Sequence, residues 1–294
     1  AASLPCSAAR LPALRQTAHT DIWSFPDSPS PFSLEPPVQR LTAKPHVVSL
    51  LASFPFNSYS AIGSASYTPP EPPASEEWCQ VIASLSGKVK GVQYDRFGAV
   101  WMDDLEIMRI TTPEPTSAGI DWHTESDISI FLPFLKTSHT LYAAIPNVVD
   151  STYTGILYVN VSLEFHSCRV QGSADRGSHV KGPLPDFALP VGGPVQASGE
   201  APTDQIALNG NDTRSVRVVL PCHNAVLLRL VLFASAHGCE EFWYSNIPDK
   251  YMNATFKGNC GGGDYRHIEV YVDDVFAGVA LPFPVVYTGG VNPL

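Results

Sequence analysis

Between Ile156 and Phe165 the chain alternates with a period of two: Val159, Val161, Leu163 and Phe165 fall on one side, Asn160, Ser162 and Glu164 on the other. Such a segment is stable only as a β-strand with one face in a core and one in solvent. The pattern returns near the C-terminal end, where Ile268, Val270 and Val272 alternate with His267, Glu269 and Tyr271. Gly98 to Ile110 reads as strand, turn, strand, with Asp103-Asp104 at the turn. Further β patterning covers Ser215 to Leu220 and Ala225 to Ala234. The 27 prolines oppose long helices, because proline removes a backbone donor and clashes with the preceding turn. These signals predict an all-β protein built from β-sandwich domains with few helices.

Composition divides the chain. Residues 1–75 are rich in Pro, Ser and Ala and contain the stiff run Pro69-Pro70-Glu71-Pro72-Pro73, so most of this stretch is expected to lie on the surface as an arm. Residues 76–168, with part of the arm, form the expected first domain. Residues 169–204 carry Gly, Pro, Ser and Asp without an apolar period and read as a linker; 205–294 form the second domain. Ala99-Val-Trp-Met-Asp-Asp-Leu105 is echoed faintly by Glu269-Val-Tyr-Val-Asp-Asp-Val275, as two related β domains would produce.

The formal net charge of −10 argues against nucleic acid as a partner, since phosphate binding needs a basic surface. No membrane partner is expected: the best apolar run, Ala225 to Ala236, is short and interrupted by Arg229, whereas a helical span needs about 20 apolar residues. The six cysteines include no Cys-x-x-Cys pair, so no zinc or other metal site is expected and a disulfide set is. Cys239 and Cys260, flanking the segment between two predicted strands of the second domain, are expected to pair. Sequons stand at Asn160, Asn211 and Asn253; Asn160 falls on the outer face of its strand, where a glycan has room. Disulfides and sequons together indicate an oxidising compartment, secreted or vacuolar.

No Gly-x-Ser-x-Gly, P-loop or His-Glu-x-x-His occurs, and two carboxylate segments remain. The first is Tyr94-Asp95-Arg96-Phe97. A carboxylate beside an arginine suits an active-site acid, although structural Asp–Arg pairs are commoner. The second is His237-Gly-Cys-Glu240-Glu241-Phe-Trp243-Tyr244. Carboxylates there can hold sugar hydroxyls, and Trp243 and Tyr244 can pack on a pyranose; the competing reading is a disulfide-pinned loop. Burial among the aromatics would raise a carboxyl pKa and suit proton transfer. His237 is a candidate helper. Asp103-Asp104, Asp121 and Asp273-Asp274 are read as turns.

At these segments the chain resembles the type A peptide-N-glycosidases. The likeness rests on Tyr94-Asp95-Arg96, Met108-Arg109, Thr111-Thr112-Pro113-Glu114-Pro115-Thr116 and Gly119-Ile120-Asp121-Trp122. It continues through Glu241-Phe-Trp-Tyr-Ser-Asn-Ile-Pro248 and Pro282-Phe-Pro-Val-Val-Tyr-Thr-Gly-Gly-Val-Asn-Pro293. A more distant likeness is to the bacterial F-type enzymes, and it implies two jelly-roll domains. The resemblance implies hydrolysis of the β-aspartylglucosamine amide of N-glycopeptides without a cofactor. Asp95 and Glu241 are then the catalytic carboxylates, and Arg96, Trp122, His237, Glu240, Trp243 and Tyr244 contact the substrate. A further carboxylate of the family is replaced by Pro146, with Asp150 as the nearest substitute. Residues 205–294 are few for the eight strands of a jelly roll, so a companion polypeptide is expected to complete the second domain. The alternatives are a non-catalytic carbohydrate-binding sandwich and a two-carboxylate glycosidase.

Overall fold

The computed structural model describes residues 37–41, 44–115, 117–169, 184–191, 212–220, 225–236, 238–252, 260–282 and 292–293. Eight strands follow one another: β1 (His46–Phe56), β2 (Ile62–Tyr67), β3 (Glu76–Val89), β4 (Phe97–Met102), β5 (Leu105–Thr111), β6 (Ile120–Asp127), β7 (His139–Ala144) and β8 (Leu157–Arg169). They form two antiparallel sheets in the orders β1-β8-β3-β6 and β5-β4-β7-β2. That order is the double Greek key of a jelly roll. The short β11 (Asn292–Pro293) adds to the free side of β5.

The alternation in the sequence sets what each strand buries. Val159, Val161, Leu163 and Phe165 of β8 are at most 2% exposed and meet Val81, Ala83 and Leu85 of β3 in the core between the sheets. Val100, Met102, Ile110 and Leu141 close it from the other sheet. Asn160 stays on the exposed outer face, where it accepts from the Ser53 N–H (2.9 Å) and donates to Ser86 Oγ (3.1 Å). A disulfide joins Cys79 of β3 to Cys168 of β8.

Residues 46–67, read from composition as largely a surface arm, are two strands of this sandwich. The period of β1 is hidden by two register irregularities, between Ser49 and Leu51 and between Leu51 and Phe54, and β2 has small side chains at 63–66 and no apolar alternation. Each irregularity breaks the alternation that marks a strand.

The two Asp-Asp turns are present. Asp103 at the β4–β5 turn has φ of 47°; its carboxylate accepts from Thr140 N and contacts His139 Nδ1. Asp273 and Asp274, both at positive φ, join β9 (Ile268–Val272) to β10 (Val275–Ala280), as the tight turns of hairpins require. Asp121, in contrast, lies within β6 on its exposed face. Residues 215–220 and 225–234 belong to no strand, and most of their apolar side chains are exposed. A period of two predicts a strand's faces, yet the strand forms only where a neighbour supplies the ladder. No helix among the described residues is long and apolar enough to cross a membrane.

Candidate active site

The outer face of the β5-β4-β7-β2 sheet is not left to water. Ala99, Trp101 and Ala144 are buried there, and Arg109, paired opposite Ala99, is only 9% exposed. Segments of the C-terminal half cover this face: the Arg109 guanidinium donates to Phe233 O (3.2 Å) and reaches Ser235 Oγ (3.5 Å). The candidate site forms at the end of this contact.

Asp95 stands just before β4. The loop that presents it is fixed from below by two buried amides. Gln93 Nε2 donates to Val148 O (2.8 Å) and Gly155 O (3.2 Å), while its Oε1 accepts from Tyr94 N and from Arg96 Nη2. Asn147 Nδ2 donates to Phe56 O and Gly155 O. Arg96 continues the β4–β5 ladder, donating its N–H to Thr112 Oγ1 (2.8 Å) and accepting from Thr112 N (2.7 Å). Arg96 Nε is buried and has no hydrogen-bond partner among the described residues.

Glu241 lies between two short 3-10 turns, Gly238–Glu240 and Trp243–Ser245. The Cys239–Cys260 disulfide ties this stretch to the glycine run. Glu240 is occupied: both its oxygens accept from Arg266, at 2.5 and 3.0 Å. Arg266 in turn holds the carbonyls of Gly261 and Gly263. Glu240 is therefore the brace of the loop, and Glu241 is the carboxylate it presents.

Asp95 and Glu241, far apart in sequence, lie near enough for the charge of one to act on the other. Burial raises the Glu241 pKa, and the negative charge of Asp95 raises it further. Asp95 is itself raised by burial, with a backbone hydrogen bond and Arg96 pulling the other way. A third carboxyl joins them. Glu114, two residues beyond Thr112, which bonds Arg96, is raised by burial and then by the charge of Asp95. Asp150 does not supply this group: its carboxylate caps a turn, accepting from the N–H groups of Thr152 and Tyr153 (2.7 Å each). Those bonds hold its pKa low.

The aromatic candidates divide. Tyr244 is 40% exposed, and its pKa is raised by burial and by Glu241 beside it. Trp243 is 8% exposed, edge-on to Tyr244, with its Nε1 buried and unpartnered among the described residues. Trp122 is a core residue at 4% exposure, packed over Gly87 of β3, and offers no face for a sugar. Tyr94, exposed and adjacent to Asp95 in the chain, lies against the half-buried Tyr153, with ring centroids 5.4 Å apart. His237, Asn211 and Asn253 lie outside the described residues. The one group of possible metal ligands among the described residues is Glu77, Cys79 and Cys168, whose thiols are joined in the disulfide.

A family model described as "Peptide N-acetyl-beta-D-glucosaminyl asparaginase amidase A" matches residues 31–294. The chain is 32% identical over 270 residues to the peptide-N4-(N-acetyl-beta-glucosaminyl)asparagine amidase A of Prunus dulcis. That match takes in 90% of this chain and 47% of the relative, so the chain spans about half the relative's length. A solved structure of PNGF-II aligns with 44% of this chain and 35% of its own at 15% identity. Its TM-score of 0.35 is too slight a likeness to bear on fold or function.

Proposed function

The chain belongs to the peptide N-acetyl-beta-D-glucosaminyl asparaginase amidase A family, and from that we propose that it hydrolyses the amide linking an N-glycan to asparagine. The observation that carries this reading is that Asp95 and Glu241, drawn from distant stretches, lie near enough to interact electrostatically, with Arg96 next to Asp95 in the chain.

Two carboxyls with unequal environments suit amide hydrolysis. Arg96 favours the ionised form of Asp95, which can take a proton from water as the water oxygen bonds to the amide carbon. Glu241, biased toward its protonated form by burial and by Asp95, can give its proton to the nitrogen as the C–N bond breaks. The products are aspartate and a glycosylamine, which loses ammonia to a second water. The Arg96 guanidinium is suited to hold the sugar or the developing oxyanion. Trp243 and Tyr244, which follow Glu241 and Phe242 in sequence, are the aromatic side chains suited to pack on the sugar. The protein acts without a cofactor on N-glycopeptides or denatured N-glycoproteins.

The two-domain organisation, with a second jelly roll from about residue 205 completed by a companion polypeptide, belongs to the same proposal. Its support is the apolar surface on Val216, Val218, Leu228, Leu230 and Leu232 and on Val275, Phe276 and Val279 of β10, all exposed. A soluble protein rarely leaves so much uncovered. Glycans on Asn160, Asn211 and Asn253 and passage through the secretory route fit the disulfides.

Incubation with a defined N-glycopeptide tests the reaction. The amidase converts Asn to Asp with release of the intact glycan, both read by mass. A glycosidase leaves a sugar on Asn, and a binding protein leaves the peptide unchanged; either result overturns the proposal.

A further inference from the structure

Arg109 is absent from the set of residues assigned above to the chemistry, yet it occupies an unusual place. A guanidinium on the outer face of a sheet normally extends into water. This one is 9% exposed. Glu106 neutralises it in a two-point pair, Nε to Oε1 at 2.6 Å and Nη2 to Oε2 at 2.8 Å, on the same strand. Its charge lies 5.1 Å from the Phe97 ring centroid and 6.0 Å from that of Phe233. Its remaining donors go to Phe233 O and Ser235 Oγ.

Each of these contacts borders a catalytic candidate. Phe97 opens β4 and follows Asp95-Arg96 directly. Phe233 and Ser235 precede in sequence the Gly238–Glu240 turn, which Glu241 directly follows. One planar group thus touches the strand that presents Asp95 and the segment that presents Glu241. The face it occupies is the covered one, and the Glu106 pair fixes its plane from within its own strand. An arginine suits this position because its fork can hold a carboxylate with two donors and still offer others. A lysine could hold Glu106 or the carbonyl, as a point charge, without setting the angle between them.

We infer that Arg109 is a positioning residue: by gripping the 233–235 segment against Phe97 it sets Glu241 at its working place beside Asp95. This rests on the amide-hydrolysis reading for its consequence, though the grip itself does not. The groups facing Glu241 are Asp95 from the start of β4 and Tyr244 from its own loop. Loosening the grip lets Glu241 move away from Asp95 toward water, and both causes of its raised pKa weaken.

The test uses the full protein with Arg109→Lys, and with the double change Glu106→Gln/Arg109→Gln, which leaves no buried charge unpaired should the lysine variant fail to fold. Three results are expected. Glycan release falls in kcat by on the order of 10- to 100-fold with KM little changed, as misplacement of a reacting group does. The high-pH limb of kcat, where Glu241 loses its proton, moves to lower pH. Backbone amides of 233–245 exchange faster while β3 and β8 keep their protection. A folded variant with wild-type kcat and an unmoved limb overturns the positioning role. Unchanged exchange at 233–245 overturns the grip, and this readout stands even if the wild-type protein releases no glycan, a result that would instead remove the proposed reaction.

Discussion

At the scale of single residues, Asp95 carries its charge against the preference of its surroundings. Burial raises its pKa, so the folded protein holds the neutral form more easily than the unfolded chain does. The contribution to stability is greatest below the unfolded carboxyl pKa and is lost as pH rises through the folded value. Asp95→Asn therefore should abolish glycan release, by at least about 100-fold, while leaving the melting temperature at pH 7 equal to or above wild type. The difference in melting temperature should shrink toward pH 3. A variant that keeps its turnover would remove Asp95 from the chemistry. The same substitution removes the charge that raises Glu114 and Glu241, so both should titrate at lower pH in carboxyl-labelled NMR spectra. Glu114→Gln should reduce glycan release and leave the fold unchanged; full activity in that variant would make Glu114 a bystander.

At the scale of elements, the fit of strands is tight where glycine replaces a side chain. Gly87 of β3 stands opposite Trp122 of β6, and a Cβ at position 87 would run into the indole. Gly87→Ala should cost about 1–3 kcal/mol through displacement of that ring, measured by chemical denaturation; a neutral result would mean that β6 can shift freely. The Glu241 loop depends on a different device. Cys239 and Cys260 are 21 residues apart, and cross-links over loops of this size contribute about 3 kcal/mol by restricting the unfolded chain. Replacing both by Ser should loosen the Glu241 loop and reduce glycan release before it unfolds the β1–β8 sandwich. Loss of sandwich structure at the same denaturant concentration as loss of the loop would show that the two melt as one unit.

At the scale of the whole molecule, two surfaces of opposite character stand out. The outer face of the β5-β4-β7-β2 sheet is covered, with Trp101 6% and Arg109 9% exposed. Residues 216–220 and 226–232 and β10 are open, with Val226 fully exposed. If a companion polypeptide covers the open surface, the active species isolated from its natural source should exceed the 31.8 kDa of this chain in native mass measurement. Dissociating it should expose surface that binds a hydrophobic dye. An active species of the chain's own mass would contradict the companion.

By itself the sequence determined the strands whose faces alternate without interruption. It also marked the Asp-Asp turns, and it singled out Asp95, Arg96 and Glu241 as residue types suited to acid–base work. These are local properties: a period of two is written into neighbouring positions, and a turn needs only two residues that tolerate positive φ. Strand β1 was hidden because irregular register breaks its period, and β2 because Gly63, Ser64, Ala65 and Ser66 give it no apolar alternation. Trp122 could have been placed, since it shares its side of β6 with buried Ile120 and Thr124; an indole beside a family motif reads equally well as a platform until the opposite sheet is in place. Glu114 was legible in part, by counting the β4–β5 pairing outward from Asp103-Asp104, but the irregularity between Val100 and Trp101 shifts that count by one. Only the tertiary structure decided that the charge of Asp95 acts on Glu241, that Glu240 is held by Arg266, and that Arg109 is covered. Each is a contact between distant stretches, and its energy depends on burial and on which charges end up adjacent, which no local pattern encodes.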